Sequence, residues 1–308
     1  MQQLLHDFPQ CEYPDEYLVA RLRGRRSSFI FEQRSQPEGT ISVAERNRIQ
    51  EQGCDERRWL FKQLNSNQRK NLAPLFLYFE VEILFQCLRC IEAGQCERIE
   101  GLLQTSLLSG QVKQILRENS APADVLMRLE RELKCIEIPV KGLAESYESG
   151  GIQKSEEMIR RVLLSQVFFT VHHPDVLGFF RNLIDIRNIM ILAKHLHWQL
   201  ESKPDLYSGG SFRERVYKKN VTEEELARRV RHFVRETVAL GANLHPVRLE
   251  KELLYCLLKK LVISRRVSGL ISSVIEYLWQ WHITARSGKG DLLESFSVQG
   301  NHAQESMQ

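Results

Sequence analysis

Helical periodicity along almost the whole chain is the feature that most limits how this sequence can fold. Apolar residues recur at intervals of three or four, as Leu18, Val19 and Leu22 do in the segment 15–31, which is typical of amphipathic helices. No six-residue stretch between turn signals alternates apolar and polar residues, and no Asn-Gly or Asp-Gly hairpin turn occurs. The sequence therefore predicts an all-α fold.

Glycine, proline and helix-capping residues divide this pattern into separate helices. Thr222, followed three residues later by Glu225, has the form of a capping box at a helix start. The predicted helices cover Asp15–Phe31, Trp59–Leu64, Leu72–Glu92, Glu97–Leu116, Ala123–Leu133, Pro174–Leu200, Glu223–Leu240 and Val247–Trp281. We expect breaks at Gln36–Gly39 and Gly53–Asp55 and a weak point at Ser268-Gly269.

Two of these helices align with each other, which suggests an internal repeat. When Glu80 is matched with Asp185, apolar positions coincide, and Arg89 falls on Lys194. A third segment, 249–289, has a similar apolar run followed by basic residues. We therefore predict three pseudo-repeated helical units (15–120, 121–215 and 216–287) in one domain, with a flexible N-terminus over 1–14. Residues 288–308 are rich in polar residues and are predicted to be disordered.

Composition and charge argue against several classes of protein. The 43 basic and 39 acidic residues give a net charge of +4, which does not favour a nucleic-acid binder that would use the early arginines. The most apolar stretches are shorter than the roughly 20 residues that a membrane-spanning helix needs. Residues 1–14 have no signal-peptide pattern. We expect a cytoplasmic protein that reaches a membrane, if at all, through other proteins.

The sequence contains none of the common phosphate-binding or catalytic motifs, GxxxxGK[ST], GxGxxG, GxSxG or HExxH. We therefore predict a protein without catalysis, cofactor or metal. Cys87, Cys90 and Cys96 have a spacing that could supply metal ligands, but zinc sites normally place a CxxC pair on a turn with a second pair downstream. These cysteines lie on or just after an apolar helix, where core packing is the alternative interpretation.

The run DIRNIMILAKHLHWQ, followed by the loop YSGGSFRERV, resembles the second repeat of the V/A-type rotary ATPase subunit called C in prokaryotes and d in eukaryotes. The matching positions are Asp185, Asn188, Ile189, Lys194, Gly209, Gly210 and Phe212. The segment 249–283 is similar to the closing repeat of that family, with Leu249, Glu250, Leu253 and Tyr277 in place. YLVARLRGRRSSF resembles its first helix, so the similarity spans about residues 15–287 in the same order.

The resemblance implies a funnel-shaped helical subunit on the central axis of a rotary ATPase. Such a subunit sits on the membrane-embedded c-ring and receives the central stalk, so that torque couples ATP hydrolysis to proton or sodium-ion transport. It would be a peripheral protein of a membrane complex, with the c-ring and stalk subunits as partners. The sequence departs from the family in having Ile83 for an asparagine and no acids in the segment 279–282. The alternative is an all-α scaffold or regulatory adaptor without the rotary role.

Eight residues are candidates for partner contacts or for fixing the structure: Arg21, Arg23, Asp185, Asn188, Lys194, Tyr277, Trp279 and Trp281. Asp185 and Asn188 lie three residues apart on one helix face and could bond a neighbouring helix end or a ligand. The run of arginines that contains them, Arg21, Arg23, Arg25 and Arg26, could meet phosphate or an acidic partner, or form a solvated helix face. Trp279 and Trp281 could belong to the core or to a contact surface.

Overall fold

The computed structural model describes residues 1–9, 13–34, 43–118, 120–202, 204–211, 222–234, 246–264 and 269–287. Within these residues the protein is all-α, as predicted, and its one β-type feature is an isolated antiparallel bridge between Leu5 and Leu108. In the described part of the chain, a short 3-10 helix at Gln2–Leu4 precedes eleven α-helices. They are α1 (Asp15–Arg34), α2 (Val43–Gln63), α3 (Ser66–Glu92), α4 (Glu97–Thr105), α5 (Gly110–Arg117), α6 (Pro122–Cys135), α7 (Leu143–Thr170), α8 (Pro174–His197), α9 (Glu223–Val234), α10 (Pro246–Ser264) and α11 (Leu270–Ser287).

The chain forms two compact units, and their boundaries fall within α2 and near the end of α8. The first unit comprises Met1–Glu12, Arg57–Ile191 and Glu201–Val221, and the second comprises Tyr13–Glu56, Leu192–Leu200 and Thr222–Gln308. In the first unit α3 packs against α4, α6 and α7, while α6 also contacts α5 and α7. In the second unit α11 packs against α1 and α10, and α10 also contacts α9.

The helix α3 is the centre of the first unit because its sequence is apolar on almost every side. A helix with this composition is stable only when it is surrounded by other elements. Its start is fixed by a capping box, in which the Asn65 side chain accepts a bond from the Gln68 amide at 2.9 Å and the Gln68 side chain accepts one from the Asn65 amide at 2.8 Å. Leu72, Phe76 and Phe85 are among its fully buried residues.

Several predicted helix boundaries are confirmed, and three are wrong. The helix predicted over Pro174–Leu200 spans Pro174–His197, and the helix predicted over Ala123–Leu133 lies within α6. The weak point predicted at Ser268-Gly269 falls partly outside the described residues. The break predicted at Gly53–Asp55 does not exist, because α2 continues through Gly53, which is buried; packing there outweighs the roughly 1 kcal/mol cost of a helical glycine. Accordingly, the short helix predicted from Trp59 is the end of α2. The helix predicted over Glu97–Leu116 is two helices, separated by a segment that contains Ser109, the N-cap of α5.

The N-terminal segment, predicted to be flexible, contacts the first unit over residues 4–6. The His6 amide donates to the Leu107 carbonyl at 2.6 Å, and the Ser109 amide donates to the Leu4 carbonyl at 2.8 Å. Leu4 and Leu5 are both buried. The sequence did not reveal these contacts because two leucines in a short polar segment give no periodicity. The predictions for Gln36–Gly39, Phe212 and 288–308 fall outside the described residues.

Candidate functional site

Asp185 and Asn188, the strongest polar candidates of the sequence, hold the segment 204–211 against α8. Asp185 is 2% exposed and its carboxyl group accepts a bond from the Ser211 amide at 2.8 Å and another from the Ser211 hydroxyl. Asn188 is 1% exposed; its amide nitrogen donates to the Tyr207 carbonyl at 2.9 Å and its oxygen accepts from the Tyr207 amide at 2.8 Å. Both side chains therefore satisfy backbone groups of one loop, as buried polar groups normally must.

Tyr207 extends this site toward α7. Its hydroxyl donates to the Glu157 carboxylate at 2.8 Å, and the Arg161 guanidinium lies 4.4 Å from its ring centre. Burial raises the pKa of the Tyr207 phenol to about 12. The phenol therefore stays protonated at neutral pH and acts as a hydrogen-bond donor. The polar groups of Asp185, Asn188 and Tyr207 all have partners within the protein, so this site stabilises the structure.

The two glycines of the loop are required by the same geometry. Gly209 has φ +95°, and a Cβ there would lie 2.6 Å from a ring carbon of Phe168. At Gly210 a Cβ would lie 2.3 Å from the Asp185 Oδ1 atom, closer than any normal contact. Gly209 thus lets the loop lie against Phe168 on α7, and Gly210 lets it approach α8 closely enough for Ser211 to reach the Asp185 carboxyl group.

We expect Gly210→Ala to lower the free energy of unfolding by about 1–3 kcal/mol, because the new methyl group must displace the Asp185 carboxyl group. The matched control is Gly178→Ala on α8, where a Cβ would meet no atom within 4 Å. That change should stabilise the helix by about 0.5–1 kcal/mol. Urea titrations of the two variants measure both values. A stability for Gly210→Ala equal to that of the parent protein would contradict the proposed close approach.

Glu80 on α3, the residue aligned with Asp185, makes a similar pair of contacts, to a serine hydroxyl and to the backbone amide of the residue after that serine. Its carboxyl group accepts a bond from the Ser106 hydroxyl at 2.6 Å and from the Leu107 amide at 2.8 Å. The bonded serine lies 26 residues after the acid in both cases, Ser106 after Glu80 and Ser211 after Asp185. Glu80 has an additional partner in Arg57, whose Nε atom lies 3.7 Å away. The alignment made from sequence thus matches two local sites of like geometry.

The basic residues aligned at the ends of these helices have different surroundings. The Arg89 guanidinium forms a two-point ion pair with the Glu156 carboxylate on α7, with Nε–Oε1 at 2.7 Å, and this pairing raises the pKa of Arg89. Lys194, by contrast, is exposed at the end of α8. Arg89 therefore stabilises packing within the first unit, whereas Lys194 is accessible to a partner.

The arginines of α1 separate into an inward pair and an outward pair. Arg25 bonds Glu56 through two nitrogens at 2.8 and 2.7 Å, and Arg26 lies 2.7 Å from the nearly inaccessible Glu276 carboxylate. Arg21 and Arg23 are exposed. The solvated face predicted as one possibility for this run therefore applies to only two of its arginines, because Arg25 and Arg26 are paired.

The last helix places all three of its candidate residues in the interior of the second unit. Trp279 is 0% exposed and its indole nitrogen donates to the Leu254 carbonyl at 3.3 Å. The Tyr277 hydroxyl donates to the Glu56 carboxylate at 2.7 Å, and burial raises the pKa of that phenol. Trp281 is also buried. Of the two interpretations that the sequence left open for the tryptophans, the geometry agrees with core packing.

Of the three cysteines whose spacing could supply metal ligands, Cys87 and Cys90 have the environment of core residues, whereas Cys96 is half-buried. Cys87 and Cys90 are buried in α3, and burial raises the pKa of the Cys87 thiol to about 12. A thiol with so high a pKa is poorly suited to ligate a metal or to act as a nucleophile, both of which need the thiolate. In the part of the chain that the structure describes, no three metal-ligating side chains form a group.

Several aromatic residues at helix ends are exposed, which the sequence did not indicate. Tyr13 and Tyr17 stack at 5.0 Å at the start of α1, and the Arg21 guanidinium lies 5.8 Å from the Tyr17 ring centre. Trp198, just after α8, is 57% exposed, and Phe169 near the end of α7 is 75% exposed. Periodicity cannot separate such residues from core aromatics when they lie at helix ends.

The comparisons with known proteins do not identify a family for this chain. No protein-family model matches the sequence, and no curated protein matches it at a significant level. None of the helices among the described residues is long and apolar enough to cross a membrane.

Proposed function

We propose that this protein is a non-catalytic, central-axis adaptor of a V/A-type rotary ATPase, which couples the central stalk to the membrane c-ring. The observation that carries the proposal is the repeated acid–serine contact at Glu80 and Asp185, each with its serine 26 residues later. It lies at the positions where the sequence resembles the repeats of that subunit. The loop that contains Gly209 and Gly210 is part of the same resemblance, and it packs closely against the Asp185 carboxyl group.

The all-α character also suits this function. A subunit that transmits torque needs stiffness and large complementary surfaces, and it has no need for reactive groups. The polar side chains of the two sites are satisfied internally, which favours a mechanical role. In this proposal the protein is peripheral to the membrane and bound through the complex. Its accessible contact residues are Arg21, Arg23 and Lys194, whereas Tyr277, Trp279 and Trp281 support the second unit from within.

Native mass spectrometry of the tagged protein, purified from its own membranes in mild detergent, tests this proposal. We expect one copy of the protein together with a c-ring and stalk subunits. Arg23→Glu should reduce the recovered partners several-fold by reversing a charge at the contact surface. The matched control is Arg131→Glu on α6, also an exposed arginine, which should not. Recovery of the parent protein without these subunits would contradict the rotary role.

The second candidate function is an all-α scaffold or regulatory adaptor. The observation in its favour is the last helix, where the segment Trp279–His282 lacks the acids usual in the family and Trp279 is fully buried. In the same purification this function predicts recovery of unrelated partners in place of the ATPase subunits.

A further inference from the structure

A group of basic side chains in the first unit surrounds the N-terminal segment and is not used by the sites described above. It consists of His6 in the N-terminal segment, Arg58 and Lys62 on α2, and Lys113 on α5. We call these four residues the His6 patch. Three of them are attached to one short segment: the Arg58 Nη1 atom donates to the Gln104 carbonyl at 3.0 Å, Lys113 Nζ to the Ser106 carbonyl at 2.7 Å, and the His6 amide to the Leu107 carbonyl at 2.6 Å.

The hydrogen bonds of the patch do not neutralise its charge. Arg58 and Lys113 donate to backbone carbonyls, which carry no net charge, and the Arg58 Nε atom is buried without a hydrogen-bond partner among the described residues. The Lys62 ammonium lies 5.0 Å from the Phe8 ring centre, and the His6 ring packs against the same phenyl ring at 4.5 Å. Positive charge is therefore concentrated where the N-terminal segment meets α2 and α5.

Neighbouring acids compensate this charge only in part. The negative charge of Asp7 raises the pKa of His6, whereas the positive charges of Lys113, Arg58 and Lys62 lower it. The charges of Glu80 and Glu100 raise the pKa of Lys113. Both carboxylates already have other partners: Glu80 accepts bonds from Ser106 and Leu107, and Glu100 accepts two from Arg117 at 2.8 and 2.9 Å. Burial, followed by the nearby cations, lowers the pKa of His6. Burial is also the largest cause of the lowered pKa of Lys113.

We infer that the His6 patch binds a carboxylate-rich segment of a partner protein. The three cations, Arg58, Lys62 and Lys113, are spread over two helices, and two of them already donate to the protein backbone. Such an arrangement offers an extended positive surface and few converging donors, which suits several carboxylates better than one small anion. Arg58 and Lys62 lie one helical turn apart, so they can meet acidic side chains about 5–6 Å apart. This inference does not depend on the rotary function.

Fluorescence anisotropy of a labelled octaglutamate peptide with the full chain, in low salt, tests the inference. Arg58→Gln, Lys62→Gln and Lys113→Gln should each weaken binding about three-fold or more. The matched control is Lys70→Gln, which removes one exposed charge outside the patch and should leave the affinity unchanged. Thermal melts establish which variants fold. Among the described residues the Lys62 ammonium, unlike the Arg58 guanidinium, donates to no backbone carbonyl, so Lys62→Gln keeps the test valid if Arg58→Gln unfolds.

NMR of the His6 imidazole locates the binding. Bound carboxylates should raise the pKa of His6, because they stabilise the imidazolium against the surrounding cations. Equal weakening by Lys70→Gln would show that net charge alone attracts the peptide, and an unchanged His6 resonance would place the peptide elsewhere; either result overturns the inference. Inorganic phosphate that shifts His6 and displaces the peptide at a lower concentration would also overturn it, in favour of a small-anion site.

Discussion

Replacing Asp185 with alanine is expected to lower the free energy of unfolding by about 2–4 kcal/mol. The change removes two hydrogen bonds from a fully buried position and leaves the Ser211 amide and hydroxyl without their acceptor. Bonds to charged groups contribute about 1.5–3 kcal/mol each. Ser211 is exposed, so water can replace part of what its amide and hydroxyl lose, and the expected effect is smaller than the sum of the two bonds. The loss should be seen first in the loop 204–211, which the Asp185 and Asn188 side chains hold against α8.

Hydrogen exchange measured by mass spectrometry, together with urea unfolding, tests this expectation. In Asp185→Ala the amides near Ser211 should lose protection before those of α3. Asp185→Asn is the conservative control, because an amide oxygen can still accept the Ser211 amide bond, and its loss of stability should be about half as large. Unchanged exchange near Ser211 in the alanine variant would mean that the loop is held mainly by Asn188 and Tyr207.

Glu80, the residue aligned with Asp185 in the sequence, offers an internal comparison. Glu80 has the Arg57 guanidinium within 3.7 Å in addition to Ser106 and Leu107. Removing the Glu80 side chain would therefore leave a cation as well as two hydrogen-bond donors without a partner. The two aligned acids thus make similar hydrogen bonds but have different charged neighbours.

The helical class of the fold was predictable from the sequence because periodicity of apolar residues reports directly on which face of a helix is buried. The alignment of Glu80 with Asp185 was also accessible, since it rests on the order of acidic, apolar and basic positions. The hydrogen bonds that these two acids make could not be predicted, because the bonded serines lie 26 residues away. Sequence periodicity carries no information on which loop returns to which helix.

Other features were hidden for different physical reasons. The helix α7 was not delimited from the sequence, and Gly150 and Gly151 within it have non-helical backbone angles, so its periodic pattern is interrupted. The glycine at position 53 suggested a break, but packing of α2 overrides its low helix propensity. The pairing of Arg25 and Arg26 with Glu56 and Glu276 joins residues far apart in the chain, which a run of arginines cannot indicate.

The second unit provides the largest expected effect of a single substitution. Trp279→Ala should lower the free energy of unfolding by about 3–5 kcal/mol, because it removes the largest fully buried side chain of α11 and leaves a cavity. It also removes the bond from the indole nitrogen to the Leu254 carbonyl on α10. Helix α11 contacts both α1 and α10, so the loss should weaken the packing of all three helices.

Trp198→Ala is the matched control for this prediction, since it makes the same chemical change at a side chain that is 57% exposed. We expect it to alter stability by less than about 0.5 kcal/mol. Urea unfolding gives the free energies, and hydrogen exchange in α10 and α11 shows which helices lose protection. A small effect of Trp279→Ala on stability, combined with loss of partners in the membrane purification, would contradict the core role. Trp279 would then belong to a contact surface, which is the alternative that the sequence left open. The last helix would in that case be part of the interface.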